Sequence, residues 1–168
     1  MRIYLMRHAA AVPRGTPGYS KDAQRPLTGE GLLQSRGVAR GLKRLKIPVD
    51  LVLTSPLLRA AQTAEQVAKE MGKGLRVREC PELQPDQPVQ RASQALKEAE
   101  GAQHVLLVGH EPHLSMWMGE MVSPRGRARC LMKKGGVACV ELDEVPPSPG
   151  GGTLRWLMSP KHLTRIGK

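Results

Sequence analysis

Residues 104–112 read His-Val-Leu-Leu-Val-Gly-His-Glu-Pro, and this stretch sets the architecture of the rest. His104–Val108 is the most apolar short run in the chain, too short for a helix of its own. That pattern fits a strand covered on both faces, and Gly109 with Pro112 breaks it into a turn. On the N-terminal side, Arg2–Met6 has the same character and delivers Arg7 and His8 at its end. Asp50–Leu53 repeats it and leads through Thr54-Ser55-Pro56 toward Arg59. Leu75–Arg78 is a shorter strand, while Val137–Leu142 and Thr153–Met158 form a later pair joined by the Pro/Gly stretch 146–152.

Helices fill the intervals. Thr28 caps a helix predicted to about Lys46, with an apolar face of Leu32, Val38, Ala39, Leu42 and Leu45 at three-and-four spacing. Pro48 stops it. A second helix is predicted over Leu57–Met71, closed by Gly72. A third follows the Pro81–Pro88 loop over Val89–Ala99, and a Met- and Trp-bearing fourth follows Pro112. Residues 9–26 carry Pro13, Gly15, Pro17, Gly18 and Pro26 and read as a loop. This alternation predicts an α/β fold: a three-layer αβα sandwich with a mostly parallel central sheet and helices on both faces, as one domain over residues 1–168. In such sheets ligands bind beyond the carboxyl ends of the strands. Arg7-His8, Ser55 with Arg59, and Gly109-His110 all fall there.

The bulk properties narrow the field. The apolar fraction of 40% is aliphatic and Met-based, with no Phe. Net charge is +11, spread along the chain but denser at Arg36–Lys46 and Arg125–Lys134. Nucleic-acid binding without sequence preference usually pairs a basic groove with stacking aromatics, and rings are scarce here. The charge reads first as a solvated basic surface, and functionally as a pocket for anionic substrates with steering toward it. The three cysteines, Cys80, Cys130 and Cys139, are odd in number and lack C-x-x-C spacing. Residues 1–6 are too short for a signal core, and no 18-residue apolar run exists. A cytoplasmic protein with reduced thiols and no membrane partner is expected.

Transfer of a phosphoryl group needs a nucleophile in line with the leaving group, positive charge on the equatorial oxygens, and often an acid. Arginine suits the second role because its planar fork grips two oxygens and keeps its charge. Arg7 and Arg59 are the candidates, with His110 as an imidazole donor. His8 suits the first role, since neutral imidazole is a good nucleophile near neutrality. The acid candidates are carboxylates in the loop after the third strand, Glu82 first and Asp86 second.

Three stretches resemble the histidine phosphatase superfamily, the phosphoglycerate mutase-like fold: "LMRHAAA" around Arg7-His8, "SPLLRAAQTA" at Ser55–Ala64, and "VLLVGHEP" at Val105–Pro112. "RPLTGEG" at Arg25–Gly31, "PELQP" at Pro81–Pro85 and "LRWLMSPKHL" at Leu154–Leu163 are closer to its SixA-type phosphohistidine phosphatases. That resemblance implies a phosphatase with His8 as nucleophile, and Arg7, Arg59 and His110 around the phosphoryl group. It implies no cofactor and no metal. Its substrate would be a phosphorylated protein, such as an acidic histidine phosphocarrier domain, releasing inorganic phosphate. One departure is Ala9, where the superfamily usually has Gly.

Other readings remain open on the residues alone. A phosphatase or mutase for small phosphomonoesters would use the same pocket. A metal hydrolase could draw on His110 and His113 with His8, although H-E-x-x-H spacing is absent. A basic nucleic-acid-binding module is the third.

Overall fold

The computed structural model describes residues 1–72, 74–99, 101–125 and 128–168. Strand β1 (Arg2–Arg7) shows why the chain folds into layers. Its side chains alternate, so Ile3 and Leu5 enter one hydrophobic cluster while Tyr4 and Met6 enter another on the opposite face. The neighbouring strands β2 (Leu51–Thr54) and β4 (His104–Gly109) do the same. A sheet that is apolar on both faces requires helices on both.

On one face lie α1 (Gly29–Arg44), α2 (Leu58–Met71) and α5 (Pro160–Ile166), which bury Val38, Leu42, Ala60, Val67 and Leu163 against Tyr4 and Met6. On the other lie α3 (Val89–Ala95) and α4 (His113–Val122), with Ala92, Leu114, Met118 and Trp117 against Ile3 and Leu5. Trp117 is fully buried, and its indole N–H is satisfied by Ser93 Oγ at 2.7 Å.

The sheet has six strands in the order β3-β2-β4-β1-β5-β6, where β3 is Arg76–Glu79, β5 Val137–Leu142 and β6 Gly152–Met158. The first four are mutually parallel; β5 runs antiparallel to β1, and β6 antiparallel to β5. The expected α/β sandwich is therefore the fold observed. Its register aligns the strand ends. Arg7 pairs with Gly109 and Thr54 with Val108, so the three central strands finish at one level.

Several sequence expectations need correction. Leu45 is not in the core: it is the residue after α1 and is 38% exposed. The α1 helix instead buries Gly31, Ser35, Gly37 and Gly41 beside Val38, Ala39 and Leu42, because small residues let other segments approach closely. Helix α3 ends at Ala95 and tightens into a 3-10 turn over Leu96–Glu98, earlier than the periodicity indicates. Strand β3 begins one residue later than expected and forms an exposed edge carrying Arg76 and Arg78. Helix α5 is an element that the spacing of apolar residues does not reveal.

Candidate active site

The site forms where β1, β2 and β4 end side by side. The His8 amide continues the ladder by donating to Gly109 O at 3.0 Å, and the Ser55 amide donates to Val108 O at 3.0 Å. These bonds set His8, Ser55 and His110 around one point above the sheet. Arg59 reaches the same point from the first turn of α2 and is 2% exposed. Thr63, one turn further on, accepts from the Ala9 amide at 3.1 Å and donates to Arg59 O at 2.7 Å, tying α2 to the segment after β1.

The hydrogen bonds assign the state of each imidazole. His8 Nδ1 lies 2.8 Å from Ala9 O, and a carbonyl can only accept, so Nδ1 carries the proton. The lone pair is then on Nε2, which receives Arg59 Nε–H at 3.3 Å. Burial pushes the His8 pKa down to about 4. The Ala9 carbonyl acts in the opposite direction, but the charges of Arg59, Arg7 and Lys134 add to the lowering.

His110 Nε2 is 2.9 Å from Ser55 Oγ, which also accepts weakly from the Leu57 amide at 3.4 Å. The Ser55 hydroxyl needs an acceptor, and Nε2 is the one beside it. His110 therefore carries its proton on Nδ1, a buried donor without a partner among the described residues. The two rings stand 5.1 Å apart, centroid to centroid, at 54°. Burial, with His8 and Arg59 nearby, lowers the His110 pKa to about 2. Both rings are neutral at neutral pH.

Arg7 is anchored through Nη1 to Met132 O at 2.9 Å, and its Nε is buried without an acceptor among the described residues. The segment after Met132 closes against the site: Gly135 N donates to both Arg7 O and His8 O, at 3.0 and 3.1 Å. The basic stretch 125–134 thus ends against the His8 backbone; its residues 126 and 127 lie outside the described residues. Ala9 is fully buried against Ala11 and Leu27, so the fold accommodates its methyl group.

The predicted acid is less well placed. Glu82 is half-buried in the 3-10 turn Pro81–Leu83, and its Oε2 accepts from the Cys80 thiol at 3.3 Å. Among the described residues it makes no hydrogen bond to His8, Arg7, Arg59 or His110. Asp86 is exposed and lies near His113 instead, whose ring pKa falls through burial and is partly restored by Pro88 and Asp86. Two carboxylates escape the sequence reading. Glu111 follows His110 directly; Ser115 Oγ donates to its Oε2 at 2.6 Å, its Oε1 is buried without a partner among the described residues, and burial raises its pKa. Asp22, the one acidic residue among residues 9–26, bonds Arg59. The available clue was that a buried arginine requires a counter-charge. Among the described residues no group of three or more His, Cys, Asp or Glu is arranged to hold a metal ion.

Paired imidazoles and arginines at the ends of parallel strands define a class, and similarity to known proteins names it. Residues 3–85 match the model of the histidine phosphatase superfamily (branch 1), and the chain belongs to that superfamily. Within it the chain is a homologue of the phosphohistidine phosphatase SixA of Escherichia coli K12, 34% identical over 165 residues, 97% of this chain and 96% of that one. The structure of the protein histidine phosphatase SixA complexed with tungstate aligns with a TM-score of 0.83 at 34% identity, covering 97% of this chain and 99% of that one. The α-ribazole phosphatase of Shigella flexneri shares the fold, with a TM-score of 0.71 at 24% identity over 95% of this chain and 97% of that one.

Proposed function

We propose that the chain removes phosphoryl groups from phosphohistidine on a protein, through a covalent phosphohistidine formed on His8. The observation that carries this reading is the His8 ring itself, with Nδ1–H held by the Ala9 carbonyl and the Nε2 lone pair engaged only by a long 3.3 Å bond from Arg59 Nε–H, which an incoming phosphoryl oxygen can take over. The lone pair attacks phosphorus as the bond to the leaving nitrogen breaks, and that bond's electron pair goes to the nitrogen. Arg7 Nε–H, Arg59 Nε–H and His110 Nδ1–H stabilise the three equatorial oxygens, where charge is spread in the transition state. Glu82 is the candidate acid for an alkoxide leaving group; an imidazole that is already protonated leaves without one. Water then attacks phosphorus and gives its proton to solvent. His8 Nε2 departs with its electron pair, and inorganic phosphate is released. No step calls on a metal or cofactor.

Support for a protein substrate comes from the similarity to SixA and from the net charge of +11, which suits an acidic phosphocarrier domain. The three free thiols, Cys80, Cys130 and Cys139, suit a reducing cytoplasm. The test is a side-by-side assay of a phosphohistidine protein domain, a sugar phosphate and an aryl phosphate. Fastest turnover of the protein domain is expected; fastest turnover of the sugar phosphate would replace it with a small phosphomonoester. His8→Ala is expected to abolish turnover and the acid-labile phosphoenzyme while the protein stays folded. An active His8→Ala variant would end the assignment of the nucleophile.

A further inference from the structure

We propose that Asp22 is a positioning residue that clamps one edge of Arg59 so that the other edge faces the nucleophilic nitrogen of His8, an inference that rests on the phosphatase reading above. Arg59 Nη1 donates to the Asp22 backbone carbonyl at 2.9 Å, and Nη2 donates to Asp22 Oδ2 at 3.0 Å. A guanidinium carries its five N–H bonds in one plane. With the Nη1/Nη2 end occupied, an incoming anion meets the second hydrogen of Nη2 and the Nε–H, which exchanges His8 Nε2 for an oxygen of the anion. These lie side by side and match two oxygens of a tetrahedral phosphoryl group. That remaining edge is the one 3.3 Å from His8 Nε2.

Asp22 is itself fastened. Its Oδ1 accepts from Arg25 Nε at 2.9 Å and from Arg14 Nε at 2.8 Å, and Arg25 Nη2 lies 2.8 Å from the same oxygen. Arg25 is 9% exposed and also donates to the Val12 carbonyl, so the carboxylate belongs to the loop and cannot follow Arg59. Three guanidinium groups around one carboxylate leave a net positive charge, so the clamp orients Arg59 without cancelling the charge that phosphate needs. Burial works to raise the Asp22 pKa, but hydrogen bonds from Arg25 and Arg14 and the charge of Arg59 outweigh it and hold the pKa down to about 2.

A clamp of this kind serves the transition state more than the bound ground state. Without it Arg59 is free to turn its Nη edge to a bound anion, and the pocket loses a negative charge. Ground-state binding is then kept or tightened while the in-line alignment is lost.

Asp22→Ala is therefore expected to lower kcat on a phosphohistidine substrate about tenfold or more, with KM and tungstate Kd unchanged or lower. Asp22→Asn keeps an oxygen for Nη2 but turns an amide NH2 toward Arg14 and Arg25, and is expected to recover only part of the rate. In an Arg59→Ala background Asp22→Ala is expected to cost nothing further, since the clamp then has nothing to hold. A loss in kcat under about threefold, a loss that adds to that of Arg59→Ala, or tungstate binding that weakens in step with kcat overturns the proposal. Nitrogen-15 NMR gives a readout that does not need turnover. The Arg59 Nε–H signal is expected to be protected from exchange in the wild-type protein and to shift and exchange faster in Asp22→Ala. An unmoved signal overturns the clamp, whereas a wild-type protein without turnover would count only against the phosphatase reading.

Discussion

In the proposed reaction, protonation of a single ring nitrogen decides whether His8 can attack. Its pKa of about 4 lies below the ordinary 6.5, so the proposed nucleophile stays neutral well into acid. The acid limb of kcat/KM is expected well below pH 6.5; a limb at the ordinary imidazole value would mean that His8 is not held as described. The same shift couples to stability. Between about pH 6.5 and 4 the unfolded chain binds a proton at this position and the folded one does not, so stability falls as pH drops through that window. At pH 5 the His8 contribution is about 2 kcal/mol relative to neutral pH, and urea titrations of wild type and His8→Ala at the two pH values read it directly. Glu82 can be tested in the same way, one side chain at a time. Glu82→Gln is expected to slow aryl phosphate hydrolysis more than phosphohistidine hydrolysis, and equal losses on both would remove it as the acid. Its contact with Cys80 rather than with the His8 cluster makes that measurement informative.

Helix α1 places two glycines where another backbone passes. A Cβ on Gly31 would stand 1.9 Å from Ala10 O, and one on Gly41 would stand 2.1 Å from Leu163 O. Alanine is the better helix former by about 1 kcal/mol, but backbone overlap of this size decides the sign, at a cost of roughly 1–3 kcal/mol. Both Gly31→Ala and Gly41→Ala are expected to lower Tm. They should part company in activity. Ala10 lies two residues beyond His8 and its carbonyl accepts from the Thr28 amide at 3.0 Å, so Gly31→Ala displaces the segment that holds the imidazole and lowers kcat. Gly41→Ala disturbs the docking of α5 and leaves kcat near wild type. Equal effects on kcat would show that α1 does not set the site locally.

The whole molecule is strongly basic, and Lys134 and Arg14 lie close to His8 and Asp22 respectively. An acidic phosphoprotein would be steered by that field, whereas a small aryl phosphate feels mainly the pocket. Raising salt from about 0.1 M to about 1 M shortens the screening length from roughly 10 Å to roughly 3 Å. The kcat/KM for a phosphohistidine domain is expected to fall more steeply over that range than the value for aryl phosphate. Parallel falls would remove long-range charge from the account of partner choice.

The strands, most of the helices, and the three chain segments that carry His8, Arg59 and His110 were legible in the order of residues alone. These are local matters: apolar run length, three-and-four spacing, and Pro or Gly at the breaks all act within a few residues. Folding in three dimensions was needed to show that β2, β4 and β1 lie side by side, that Leu45 faces solvent, that Glu82 turns toward Cys80, and that Asp22 grips Arg59. The reason is physical. A buried charge finds its counter-charge through space, and the separation of 37 positions between Asp22 and Arg59 carries no periodicity that could reveal the pairing.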